Sequence, residues 1–144
     1  MTFDVDRLLA SYARVDRLSL PSTLEQTGVH DGYRQTQLVA PFTWVLEHFL
    51  PVKSAWLSVI GPGGFIRPHR DAGPWLERWQ VPIVPAGRFI QDGVELAQAA
   101  GKPFQVFHWL THEVVNDTDH DRVHLVVDRN IVLRPGSDGF EVMD

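Results

Sequence analysis

The sequence predicts an all-β domain, a double-stranded β-helix (jelly roll) with N-terminal helices packed on its outer sheet. Three observations predict it. From Ser54 onward, short segments rich in β-branched and aromatic residues recur at intervals of about 8–12 residues. Gly, Pro and Asn-Asp turns separate them, and helical periodicity is confined to the first third of the chain. At 144 residues the chain is large enough for one buried core and too short for two. It is therefore read as a single domain over 1–144, with helical support over about 1–52 and a jelly-roll core over about 53–134.

Taken in order, residues Asp4 to Arg14 predict a helix, with Leu8, Leu9, Tyr12 and Val15 at helical spacing. Pro21, Gly28 and Gly32 break the following stretch into short turns and strands. Val39 to Leu50 repeats the helical pattern, with Pro41 near its start, an apolar stripe of Val45, Leu46 and Phe49, and Pro51 closing it. His30 and His48 fall in these segments without a partner at ligand spacing, and read as surface or structural residues. Strands are expected at Ala55 to Ile60, Phe65 to Asp71, Arg78 to Val84, Gly87 to Ile90 and Val94 to Gln98. Three more are expected at Phe104 to Phe107, His112 to Asn116 and Arg122 to Asp128. Pro82 donates no hydrogen bond, so it belongs at an edge or irregularity. Two helices followed by about eight strands give the jelly roll with its outer helical layer.

Composition narrows the function. A net charge of −5 with no basic block leaves no electrostatic footprint for nucleic acid. Met1 to Arg7 carries acids where a signal peptide carries positive charge, and no apolar run has the length of a bilayer span. A cytoplasmic location with no membrane partner is the expectation. The chain has no cysteine, which excludes disulfides and thiolate metal sites and leaves His and carboxylate as strong ligands.

The chemistry-bearing stretch is Gly61-Pro62-Gly63-Gly64-Phe65-Ile66-Arg67-Pro68-His69-Arg70-Asp71. Side chains at i and i+2 of an extended segment point the same way, so His69 and Asp71 present an imidazole and a carboxylate to one side. This is two-thirds of a two-histidine, one-carboxylate metal site. A lone His-x-Asp equally fits a surface pair, so the rest of the chain has to supply a third ligand. In His112-Glu113-Val114-Val115-Asn116, a zinc-protease helix would need His at position 116, and the paired valines favour a strand. In Arg122-Val123-His124-Leu125-Val126-Val127-Asp128, the residues Val123, Leu125 and Val127 form one apolar face, opposite Arg122 and His124. Arginine is rarely buried without a partner. If Arg122 faces the cavity of His69, Asp71 and His112, a small dicarboxylate could chelate a metal at one end and pair with the guanidinium at the other. Alternatively, Arg122 is a rim residue paired with Asp117, Asp119 or Asp121.

These segments resemble the aspartyl/asparaginyl β-hydroxylase family of Fe(II)- and 2-oxoglutarate-dependent dioxygenases. Pro62 to Asp71 resembles its glycine turn and His-x-Asp segment, and Arg78-Trp79-Gln80-Val81-Pro82-Ile83 its next core strand, where His is usual in place of Gln80. His112 to Asn116 followed by Arg122 to Asp128 resembles its distal histidine, asparagine and cosubstrate arginine. The resemblance implies that His69, Asp71 and His112 hold Fe(II), and that Arg122 binds the distal carboxylate of 2-oxoglutarate. It further implies that Arg78 and Gln80 line the cosubstrate pocket. His124, on the cavity face beside Arg122, either contacts the cosubstrate or is a satisfied core histidine. His108 is the competing third ligand, and His112 is favoured because the spacing to Asn116 and Arg122 belongs to it. His108 then falls on the substrate side, with Arg70, Trp75 and Arg88 near the barrel mouth. Trp56, Phe65, Trp79, Phe107 and Trp109 are read either as an apolar shell around the pocket or as ordinary barrel core, and the core accounts for most of them.

So read, the chain is a single dioxygenase domain that takes O2 and a small-molecule or peptide substrate, hydroxylates an unactivated carbon, and releases succinate and CO2. Two other readings use the same fold. A cupin-type isomerase or lyase would employ the metal as a Lewis acid without oxygen, and a metal-free jelly-roll module would bind a ligand or partner.

Overall fold

The computed structural model describes residues 1–16, 30–71, 76–107, 109–130, 132–136 and 139–143. Helix α1 (Val5–Ala13) starts where Asp4 accepts a hydrogen bond from the backbone N–H of Arg7, the usual cap for an unpaired first-turn donor. Its Leu8 and Ser11 are buried, Tyr12 packs partly buried beside them, and Leu9 of the expected apolar stripe is exposed. The second helical stretch is broken into a 3-10 turn (Ala40–Phe42), the short helix α2 (Thr43–Leu46) and another 3-10 turn (Glu47–Phe49). Pro41 starts it, and Phe42, Val45 and Phe49 face inward. The helices interlock through the indole N–H of Trp44, which donates to the Ser11 hydroxyl. Among the described residues, no helix is long and apolar enough to cross a membrane.

The strands are β1 (His30–Thr36), β2 (Val52–His69), β3 (Leu76–Val84), β4 (Arg88–Gln91), β5 (Val94–Leu96), β6 (Phe104–Val106), β7 (His112–Val115) and β8 (Arg122–Asn130). They form one curled antiparallel sheet in the order β5-β4-β7-β2-β8-β3-β6, with β1 on β2, and β9 (Val132–Gly136) and β10 (Gly139–Met143) make a separate hairpin. This is the expected jelly-roll barrel. One departure lies in the N-terminal third: residues 30–36, among the short turns and strands expected there, belong to the barrel sheet itself rather than to a helical support. The strand expected at Val94 to Gln98 ends at Leu96, and Ala97 to Lys102 is loop and turn.

A second departure matters more. Gly61 to Gly64 does not end one strand and start another; β2 runs through it for 18 residues. Before the bend, Val52 to Ile60 pair with β8; after it, Phe65 to His69 pair with β7. On the other edge, β1 follows the bend, with Asp31 opposite Phe65 and Tyr33 opposite Ile60. Gly64 is required here because a Cβ would come within 2.8 Å of the Asp31 carbonyl oxygen. The bend is clamped by Asn116, which is fully buried. Its backbone exchanges hydrogen bonds with Gly63 and Gly64, and its amide N–H groups donate to the carbonyls of Ile60, Gly61 and His120.

The sheet has two chemically distinct faces. Leu57, Val59, Val81, Ile83, Val123, Leu125 and Val127 pack against the helical layer. Fully burying such a side chain stabilises the fold by about 2 kcal/mol. The alternate residues face the barrel interior, where Ile60, Phe89, Val106 and Val114 make a smaller apolar cluster.

Asn116→Ala is expected to destabilise the protein by about 3 kcal/mol, because several buried hydrogen bonds worth about 1 kcal/mol each are lost together. Urea unfolding measures this, and a loss below about 1 kcal/mol would mean that the bend does not depend on this clamp.

Candidate metal centre

The antiparallel pairing of β2 with β7 sets His69 directly opposite His112, with ring centroids 4.3 Å apart. Each ring is oriented by the backbone two residues earlier: His69 Nδ1 lies 2.7 Å from the Arg67 carbonyl oxygen, and His112 Nδ1 lies 2.9 Å from that of Leu110. A carbonyl only accepts, so each Nδ1 carries a proton and each Nε2 is turned to Asp71, able to donate to the carboxylate when protonated or to offer its lone pair to a metal when not, the orientation found in metal-ligating histidines. Asp71 completes the group, with Oδ1 3.5 Å from His69 Nε2 and Oδ2 3.2 Å from His112 Nε2. One ligand atom from each of the three residues lies within 4.8 Å of the others. Ligand bonds of about 2.1 Å put neighbouring donors of one ion about 3 Å apart, so the spacing suits a single cation. The hydrogen-bonding contact with His112 holds the Asp71 carboxyl below its ordinary range, against the upward push of partial burial and with help from the charges of His69, His112 and Arg78.

The donors open onto a cavity of about 330 Å³ whose lining includes Arg78, Gln80 and Arg122. Arg122 is 1% exposed. Its Nε donates to Gln98 Oε1 at 2.9 Å and its Nη2 to Gln80 Oε1 at 3.3 Å. Among the described residues no carboxylate forms an ion pair with it, so the rim pairing with Asp117, Asp119 or Asp121 does not occur. Burial lowers its pKa to about 9, with Tyr33 acting in the opposite sense. The Phe89 ring lies between the two halves of the site, 6.2 Å from the His112 ring and 5.9 Å from the Arg122 guanidinium carbon.

The remaining sequence-derived candidates separate. Arg78 lines the cavity but gives three of its donors to carboxylates: Nε and Nη2 to Asp128 at 2.7 and 3.0 Å, and Nη1 to Asp71 at 3.1 Å. The Gln80 side-chain oxygen accepts from both Arg122 and His124. His124 is fully buried behind Gln80 and does not line the cavity. Burial, and then the charge of Arg122, push its pKa well below the ordinary range, and its Nε2 has no partner among the described residues. Arg70 bonds the Thr111 hydroxyl and Arg88 lies 3.5 Å from Asp117, both exposed rather than lining the cavity. Trp75 and His108 lie outside the described residues.

Of the expected aromatic shell, Trp56 lines the cavity. Trp79 packs on the opposite face against Phe49, because its strand position alternates with the inward Arg78 and Gln80. Phe65 does not line the cavity, and Phe107 packs at a tilt against Trp109, which is 53% exposed. The sequence reading missed the wall supplied by β1: His30, taken as surface or structural, lines the cavity with Tyr33 and Gln35. The alternation of Tyr33 and Gln35 with exposed Arg34 is the signal that marks this strand. Asp128 and Gln98 were also missed, since nothing local to either residue points to an arginine.

No curated protein matches the chain in sequence. Several solved structures share its fold. A Pseudomonas putida prolyl-4-hydroxylase superposes with a TM-score of 0.67 at 17% identity, covering 90% of this chain and 89% of that one. A cupin-2 domain protein from Rhodospirillum rubrum gives 0.58 at 13% identity, covering 87% and 74%. A sugar phosphate isomerase of the cupin superfamily from Silicibacter pomeroyi gives 0.52 at 17%, covering 78% and 76%. At these identities the likeness establishes the barrel and leaves the reaction open, since one fold hosts many chemistries. The family model for aspartyl/asparaginyl β-hydroxylases matches residues 23–131, a span that contains all three donors and the buried arginine. The chain belongs to the aspartyl/asparaginyl β-hydroxylase family.

Proposed function

We propose that this protein is an Fe(II)- and 2-oxoglutarate-dependent dioxygenase that hydroxylates a carbon of an amino acid, peptide or other small molecule. The observation that carries this reading is Arg122: a guanidinium 1% exposed, within the cavity of the three donors and, among the described residues, hydrogen-bonded by amide oxygens alone. A buried charge without a counter-ion costs several kcal/mol, a cost that an anionic ligand of the site offsets. A metal alone leaves this arginine without a role, whereas a keto-diacid spanning from the metal to Arg122 uses both.

The residues fit the two groups. Two neutral imidazoles and one carboxylate are the donor set that suits ferrous iron and leaves the opposite side to other ligands. When bound, iron with 2-oxoglutarate and O2 supplies the oxidising chemistry, in which the keto acid becomes succinate and CO2 and one oxygen atom enters the substrate C–H bond. The chain's own work is positional. His69, Asp71 and His112 hold the metal, and the Arg67 and Leu110 carbonyls keep both rings turned toward it. Arg122 pairs with the far carboxylate, aimed by Gln80 and Gln98. Ile66, Phe89, Val106 and Val114 keep that end of the cavity dry, which strengthens the charge pair. The substrate enters from the side of the donors, and the β1 wall of His30, Tyr33 and Gln35 gives it polar contacts.

Asp71→Ala is expected to weaken Fe(II) or Co(II) binding by at least about 100-fold, since one of three protein ligands is removed. Under anaerobic conditions with metal, 2-oxoglutarate at about 100 times its dissociation constant should stabilise the folded protein by about 2.7 kcal/mol, read as a rise in melting temperature. Arg122→Gln should weaken 2-oxoglutarate by about 30-fold or more, the loss that follows when one partner of a buried charge pair is removed, with metal affinity little changed. Equal 2-oxoglutarate affinity in the wild type and Arg122→Gln would sink the assignment. A cupin-type isomerase or lyase would instead turn over without O2 and form no succinate, and a metal-free binding module would take up no Fe(II) or Co(II).

A further inference from the structure

We propose that Asp128 and Arg78 are a positioning pair for the metal ligand Asp71: a buried carboxylate that fixes a guanidinium, which in turn aims a second carboxylate at the cation. This rests on the metal centre of the proposed function and extends it to residues outside the donor set.

Arg78 on β3 and Asp128 on β8 are direct cross-strand partners. Asp128 is 4% exposed, and it grips Arg78 in a parallel fork, Nε to Oδ1 at 2.7 Å and Nη2 to Oδ2 at 3.0 Å. Two parallel bonds fix the plane of a guanidinium as well as its place, and the Trp56 ring lies 5.1 Å from its carbon. With the plane fixed, Nη1 points out of the fork and reaches Asp71 Oδ2 at 3.1 Å. Asp71 needs such a hold, because it lies beyond the end of β2 and outside the ladder that sets His69 opposite His112.

Charge gives Asp128 a second task. An unpaired guanidinium beside Asp71 would offset the negative charge that attracts a dication. Asp128 neutralises Arg78, so the three groups together carry one negative charge and Asp71 keeps its pull on the metal. The two cavity arginines are thereby divided. Among the described residues Arg122 hydrogen-bonds only to neutral amides and stays available to an anion, whereas Arg78 is committed to two carboxylates.

The test is titration of the whole protein with Co(II) alone, followed by visible absorption, in variants whose circular dichroism shows the native fold. Asp128→Asn is expected to weaken Co(II) by about 10- to 100-fold, the range for residues that orient a ligand without touching the metal. Arg78→Lys keeps a cation for Asp128 but has no fork to reach both carboxylates, and should show a similar loss; it decides alone if Asp128→Asn does not fold. Ser11→Ala, on the helical layer away from the site, shows how far lost stability by itself moves the titration. Affinity within twofold of wild type in the folded variants, or a loss no larger than that of Ser11→Ala, overturns the pair's role while the metal centre stands. Failure of the wild type to bind Co(II) overturns the metal centre and this inference with it.

Discussion

The bend in β2 is the constraint on which the site depends. A straight strand pairs with one neighbour along each edge; β2 changes neighbour on one edge at Gly61 to Gly64, from β8 before the bend to β7 after it. That change lets one strand set Arg122 opposite Ile60 and His112 opposite His69, so the candidate anion and metal positions are referenced to the same length of backbone. Asn116 holds the bend because it lies at the end of β7 and satisfies carbonyls that the ladder leaves without partners. Buried backbone groups must be paired somewhere, and one buried amide does this for both sides of the kink.

The two faces of the sheet divide the labour between stability and chemistry. The outer face is apolar and covered by the helices, so it supplies most of the hydrophobic stabilisation. The inner face carries a buried arginine, a buried histidine whose pKa burial pushes down, and an arginine–aspartate fork. The polar interior is ordered because nearly every group has a defined partner. Gln80 is the hub, its one oxygen accepting from both Arg122 and His124, which ties the anion position to the sheet.

Legibility followed the range of the interaction that each feature depends on. Strand β8 was readable in full, since its period-two alternation separates Val123, Leu125 and Val127 from Arg122 and His124, and the structure sends these sets to opposite faces. Strand β1 was hard to read because its inward side is itself polar, His30, Tyr33 and Gln35 facing a cavity rather than a core. The glycine cluster was read as a strand end since Gly and Pro ordinarily break strands; only the pairing of both flanks shows a bend within one strand. Trp79 was open to both a pocket and a core reading; its neighbours Arg78 and Gln80 take the inward positions and turn it to the core on the outer face.

By itself the sequence determined the all-β architecture, the family's motifs and the order of His69, Asp71, His112 and Arg122 along the chain. These follow from local periodicity and side-chain chemistry, which act over a few residues. Only the tertiary structure decided that Arg122 meets Gln80 and Gln98 rather than the acids next to it in sequence, and that Arg78 divides its donors between Asp71 and Asp128. Those partnerships join residues up to 50 positions apart. They are set by strand register, which depends on how the whole sheet curls around its bend.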